Sequence, residues 1–366
     1  MSDHAKNDMN EEHCENMNRS ESVPNDTERQ NNNANEHYET NPDKNKPVFE
    51  KEEQQKEVNN VSGIPVIEID AYAPMKMADR VGQIGIAKTQ MSTPTTLALS
   101  ILAGVFIALG AQLSMLVTHS ATSNFGMNQL LGGAAFTLAL VLIVIAGAEL
   151  FTGNCLIAMS YMAGKITGRD LTRNLIIAFI GNFIGALTLV LWIYNSGQWT
   201  FSNHLLGAKI VLAANEKVNL PFGVAFFRGI LCNMLVCLAI WLCYSARSNM
   251  DKILSLLWPI SCLIACGFEH CVVNMWLIPM GIVLKGNSSV LAAIMEVQGR
   301  VDLSNLTFFK GFMVDNLIPV VFGNLVGGMV LVAGMYWFIY LRLTSKRESR
   351  ISRITVKSIM DYILKT

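Results

Sequence analysis

The sequence predicts an all-α integral membrane protein of six transmembrane helices, arranged as an inverted 3+3 repeat with broken helices two and five. Three observations predict it. Six hydrophobic regions reach the length of a span, which is about 20 apolar residues. Lysine and arginine crowd the short loops of one side. Two of the six regions are interrupted by one shared pattern, G-x-E-x-x-x-x-N.

The chain has 366 residues, 51% hydrophobic and 15% charged, but this average covers unlike parts. Residues 1–62 form an acidic polar tail rich in Asn, Glu, Asp, Lys and Gln. Such a segment buries too little apolar surface to offset its ordering entropy, so disorder is expected. Met1 opens that tail, so no cleavable signal peptide is expected. Residues 63–93 include "APMKMADRVGQIGIAKTQ", an amphipathic stretch expected on the cytoplasmic face before Pro94 opens the first span. Residues 94–341 hold the spans, at roughly 95–118, 129–163, 171–195, 222–246, 254–284 and 312–341. Residues 342–366 are a basic tail whose interspersed isoleucines suit a solvated segment or a helix on anionic lipid. The net charge of zero is a cancellation between the two ends and points to no nucleic-acid partner.

The loops on one side carry Lys165, Arg169, Arg173, Arg247 and Lys252, and the tail beyond adds Arg342 and Lys346. Opposite, the 119–128 loop has no Lys or Arg, and two longer loops hold Lys209, Lys217, Lys285, Arg300 and Lys310. The positive-inside bias puts both termini in the cytoplasm of a multi-pass cell-membrane protein. Seven of the eight cysteines lie in or beside spans without a CxxC spacing, and read as small packing residues.

The second region breaks at "GAELFTGN" (147–154) and the fifth at "GFEHCVVN" (267–274). The neighbouring spans match too, with "GNFIG" at 181–185 and "GNLVG" at 323–327. Three spans per half force the halves into opposite orientations, and paired breaks point to a transport site near the midplane. A non-helical backbone at membrane depth must be buried in protein or line a watery cavity. Gly147, Gly153 and Gly267 are expected to permit the turns. The half-helices after the breaks present N–H groups and a positive dipole end, which suits an anion. Glu149 and Glu269, with Asn154 and Asn274, read as loop scaffold, the glutamates accepting from backbone N–H groups. A bare carboxylate on an anion path would repel the anion.

Of six histidines only His270 lies inside an apolar span. A histidine in such a place is often a hydrogen-bonded core residue. This one sits in a broken element beside Glu269, and an ionisable group within a span is a functional candidate. Glu269, His270 and Cys271 point in different directions and have no HExxH or CxxC partner, so no metal is expected. With no G-x-S-x-G elbow either, the chain is not expected to be an enzyme or to take a cofactor.

The breaks and their flanks resemble the formate/nitrite transporter family, most closely its formate channels. The likeness rests on "GAELFTGN", "GILCNMLVCLAIWLCYSARS" at 229–248, "GFEHCVVNMWLIPMGI" at 267–282 and "VDNLIPVVFGNLVGG" at 314–328, and covers roughly residues 65–341. The resemblance implies an aquaporin-like homopentamer with a pore in each protomer. It implies a central His270 with Thr152 and Asn233 near it, Lys217 in the outer vestibule, and constrictions at Leu150, Phe136 and Leu140. Leu263 stands at a further constriction that is aromatic in several formate carriers, and Gly153-Asn154 stands where some formate channels have Ser-Thr.

The expected partners are formate or a similar small anion, protons and membrane lipid. Protonating a carboxylate at neutral pH costs roughly 4 kcal/mol. Moving a bare ion into a low-dielectric constriction costs on the order of 20 kcal/mol ideally, and still several after relaxation. Passage as the neutral acid is therefore expected, with Lys217 gathering the anion and His270 neutralising it by a hydrogen bond or a proton. Nitrite, hydrosulfide and short monocarboxylates are alternative cargoes of the same chemistry. A neutral-solute channel of aquaporin type predicts Asn-Pro-Ala at both breaks, where Asn154-Cys155-Leu156 and Asn274-Met275-Trp276 stand. A membrane sensor recruiting partners through the acidic tail is a third possibility.

Overall fold

The structure is a computed structural model that describes residues 72–120 and 124–342. The acidic tail and the basic tail from 343 onward lie outside the described residues. Every regular element among the described residues is helical.

Helix α1 (Pro74–Gln90) carries the amphipathic stretch expected before the first span. Helix α2 (Thr93–Thr118) starts where the Ser92 hydroxyl accepts from Thr95 N–H. Helix α3 (Phe125–Gly147) is capped by Asn124 and widens to π spacing over Leu142–Gly147. After a gap, α4 continues as three short turns, Phe151–Asn154, Cys155–Ile157 and Ala158–Met162. Helix α5 (Gly168–Ser196) opens on a capping box of Thr167 and Asp170. Helix α6 (Leu205–Val218) precedes α7 (Phe222–Cys243). A second capping box, Ser248 with Asp251, opens α8 (Asn249–Ala265). After a second gap come α9 (Cys271–Leu284) and α10 (Ser288–Gln298), then α11 (Phe308–Leu341).

Five helices are long and apolar enough to cross a membrane, namely α2, α3, α5, α7 and α11. Counting the pair α9 and α10, bent by 103°, raises the number to six. The fifth hydrophobic region of the sequence is two helices, α8 and α9, of 17 and 14 residues. Neither alone reaches span length, because the break falls in its middle.

Both gaps are made the same way. Gly147 (φ +85°) and Gly267 (φ +68°) end the incoming helices in the left-handed region that glycine adopts without a Cβ penalty. Gly153, expected to help turn the chain, instead lies within α4, where a Cβ would meet Ile240 Cδ1 at 2.6 Å. Its role is close packing against α7.

The matched G-N-x-x-G motifs do the same work on α5 and α11. A Cβ at Gly181 or Gly185 would run into Ser100 and the Ile101 carbonyl of α2. At Gly323 or Gly327 it would run into the Phe226 and Ile230 carbonyls of α7. Backbones packed this closely gain dispersion contact without needing water expulsion, the mode suited to lipid surroundings. Gly185→Ala should therefore destabilise the protein by about 1–3 kcal/mol through overpacking. Gly223→Ala is the control, since nothing lies within 4 Å of its would-be Cβ. A detergent melting curve should fall for the first and hold for the second.

Candidate transport site

Each gap is organised around one buried glutamate. Glu149 Oε1 takes Lys88 Nζ at 2.7 Å, and its Oε2 takes Asn154 Nδ2 at 2.7 Å. Glu269 Oε1 takes Lys217 Nζ at 2.7 Å, and its Oε2 takes Asn274 Nδ2 at 2.8 Å. The correspondence goes further. Asn154 Nδ2 also donates to Asn174 Oδ1 (2.8 Å) and Asn274 Nδ2 to Asn316 Oδ1 (2.7 Å). Asn174 and Asn316 then donate back to the carbonyls of Lys88 and Lys217 (3.4 and 3.0 Å).

A second asparagine closes each gap from the G-N-x-x-G motif. Asn182 Oδ1 accepts from Phe151 N–H (2.9 Å), while its amide donates to the carbonyls of Glu149 and Ser100 (2.9 and 2.7 Å). Asn324 Oδ1 accepts from Cys271 N–H (3.0 Å), while its amide donates to the carbonyls of Glu269 and Gly229 (3.0 and 2.8 Å). The first N–H of each half-helix, left unpaired by helix geometry, thus finds a side-chain acceptor. The glutamates were expected to take backbone N–H groups. They take lysine and asparagine side chains, and the asparagines of G-N-x-x-G serve the backbone instead.

Lys88, Asn174, Asn182, Asn316 and Asn324 had no functional assignment from sequence. The spacing of Asn174 to Asn182 equals that of Asn316 to Asn324, which was the available signal. Lys88 gave none, because it lies in an amphipathic helix far upstream of its glutamate. The doubled unit also begins earlier than the first span: α1 supplies Lys88 as α6 supplies Lys217.

Leu150 and His270 occupy matching positions, each extended and each immediately before a half-helix. There the likeness ends. His270 Nδ1 accepts from Val272 N–H (3.2 Å) and Val273 N–H (3.3 Å), capping α9 with its own ring. Nδ1 is therefore the lone-pair nitrogen, and the neutral ring carries its proton on Nε2. Nε2 lies 3.0 Å from Thr152 Oγ1, so the ring donates to the threonine of the opposite half-helix. Both residues are buried. This bond joins the two gaps.

A cavity borders each gap. The first, about 550 Å³, is lined by Leu150, Glu149, Lys88, Arg80, Lys252 and Tyr244 among others. The second, about 170 Å³, is lined by His270, Phe136, Glu269, Lys217, Arg228 and Trp276 among others. The first wall carries three cations against one carboxylate. The second carries Lys209, Lys217 and Arg228 against Glu216 and Glu269. Both are electropositive on balance.

The remaining expected residues are all buried, but they are not all together. Asn233 donates to the Asn324 carbonyl (2.7 Å) and Cys155 Sγ (3.4 Å), and Cys237 Sγ lies 3.8 Å from its Oδ1 and 3.5 Å from the Thr152 carbonyl. Asn233 braces α7 against α11. Leu140 and Leu263 are fully buried and line neither cavity.

Two broken helices that meet at a buried polar contact, with an electropositive cavity at each break, define a multi-pass membrane transport protein. The chain belongs to the formate/nitrite transporter family, whose model, described as "Formate/nitrite transporter", matches residues 75–338. It is 39% identical over 274 residues to the formate channel FocA of Escherichia coli K12, covering 75% of this chain and 96% of that protein. It is 33% identical to a probable formate transporter of Methanothermobacter thermautotrophicus, covering 74% and 97%. It superposes on a pentameric formate channel with formate bound at a TM-score of 0.61 and 36% identity, covering 68% of this chain and 98% of that one.

Removing one member of a buried ion pair strands the other. Glu269→Ala should cost about 3–5 kcal/mol, since it orphans Lys217 and Asn274 together. The double variant Lys217→Met/Glu269→Leu should lose less than the single one. A thermal-shift cycle over the two sites reads this coupling, and additive losses would argue that the pair is decorative.

Proposed function

We propose that the chain forms a homopentameric channel that passes small monovalent anions of weak acids, formate foremost, with proton linkage. The observation that carries this reading is the Thr152–His270 contact at 3.0 Å, which joins two helix breaks that each border an electropositive cavity. The relatives, a formate channel and a probable formate transporter, support the choice of cargo.

In this reading the doubled network belongs to two halves of opposite orientation, the first beginning at α1, with both termini in the cytoplasm. The cavity at Lys88 then faces the cytoplasm and the cavity at Lys217 faces outward. Each lysine charge is largely balanced by its glutamate, so anions are gathered by the surplus cations beside it, Arg228 and Lys209 outside and Arg80 and Lys252 inside. Leu150 and Phe136 on the cavity walls, with Leu140 and Leu263 behind them, exclude hydrated ions. The anion therefore crosses after neutralisation.

His270 contributes a hydrogen bond rather than a net proton. Its Nδ1 lone pair is occupied by two backbone N–H groups, so a second ring proton would sacrifice both bonds. Its Nε2–H exchanges Thr152 Oγ1 for the cargo's oxygen, and the transported proton comes from water in the cavity.

Flux of formate, nitrite, lactate and hydrosulfide through one proteoliposome preparation tests the cargo. Formate should be carried with an accompanying proton, and nitrite or hydrosulfide flux far above formate would overturn the choice. His270→Asn should cut formate uptake at least about tenfold, as loss of a well-placed donor at a buried site does. Full proton-coupled uptake by that variant would end the role given to His270. Deleting residues 2–60 should leave uptake unchanged, whereas abolished uptake would make the acidic tail a gate.

A further inference from the structure

Trp276 lies in α9, six residues beyond His270, about 9 Å along the helix axis. Val273, Trp276 and Leu277 fall on one face of that helix by their spacing, and all three line the second cavity. The side chain is fully buried, and its indole Nε1–H has no hydrogen-bond partner. A buried indole N–H without an acceptor is costly, and buried tryptophans normally find one. Trp199 shows the usual outcome, its N–H donating to the Tyr194 carbonyl at 3.0 Å, whereas Trp337 Nε1 also lacks a partner but lines neither cavity. The Trp276 donor is thus spare, in the same wall as Lys217, Arg228 and His270.

We propose that the Trp276 indole N–H, covered in this structure, turns into the second cavity to bind the anion before it reaches His270, and that this bond sets the preference for oxygen anions. The inference rests on the anion-channel reading given above. A carboxylate or nitrite offers an sp² oxygen that accepts strongly from N–H. Hydrosulfide offers only a large sulfur with diffuse charge, which accepts from N–H more weakly and less directionally than a carboxylate oxygen. The surplus cations attract every one of these anions alike, because charge does not tell them apart. A directional neutral donor does. The indole suits the position because it adds a donor without adding charge, so the anion is recognised and not trapped.

The test is flux of formate and of hydrosulfide through proteoliposomes carrying wild type or Trp276→Phe. The variant keeps an aromatic ring and removes the N–H. Its half-saturation concentration for formate should rise about tenfold, the effect of losing one hydrogen bond to a charged acceptor. For hydrosulfide it should change less than about twofold, since the N–H donates only weakly to sulfur. A packing defect would move both anions by one factor, so equal changes would overturn the proposal, as would none. Should Trp276→Phe fail to assemble, Trp276 replaced by β-(3-benzothienyl)alanine keeps the fused-ring shape and exchanges the N–H for sulfur. The same loss of formate preference is expected there, and an unaltered formate-to-hydrosulfide ratio would sink the idea. Wild-type protein that carries neither anion would instead end the channel reading itself.

Discussion

The structure depends on a carboxylate held inside an apolar bundle at each helix break. An unpaired carboxylate there would be prohibitively expensive, and a broken helix without it would leave the chain's turn unanchored. Lysine supplies the opposite charge and asparagine the remaining donor, so each glutamate is satisfied on both oxygens. Because the lysine comes from α1 or α6, these helices are tied to the breaks they flank. Because the asparagines reach α5 and α11, the long helices are tied in as well. Glu149 thus ties α1 and α5 to the first break, and Glu269 ties α6 and α11 to the second.

The half-helices add a separate requirement. Their first N–H groups face the protein interior, where water cannot serve them. Asn182 and Asn324 answer it, and they reach far enough only because the flanking glycines bring α5 against α2 and α11 against α7. Close packing and polar satisfaction are therefore one device in G-N-x-x-G. Removing the glycines would displace the asparagine, and removing the asparagine would leave the close approach without a purpose.

Much of this was legible in sequence, for a physical reason. Glu149 with Asn154 and Glu269 with Asn274 are local pairs, five residues apart, so a motif records them. Gly147 and Gly267 mark the turns because only glycine occupies that backbone region cheaply. Lys88 was not legible, because an ion pair spanning sixty-one residues leaves no spacing to read. Lys217 was assigned to gathering anions by resemblance, and its geometry adds an ion pair that offsets much of its charge. Gly153 was read as a turn glycine when a side-chain neighbour from another helix, Ile240, explains it. The deciding contact there belongs to a partner distant in sequence.

The Thr152–His270 bond is a single neutral hydrogen bond between the two breaks. Parting it inside the protein leaves a buried donor unmet, at about 1–3 kcal/mol, until another acceptor takes the place of Thr152 Oγ1. On the proposed reading, the cargo's own oxygen is that acceptor and offsets the cost of opening. Opening needs no lever, no ATP and no large rearrangement to let a small molecule by. The barrier that matters is desolvation of the cargo, and the conductance of such a protein should be set by what enters the cavities more than by how the protein moves.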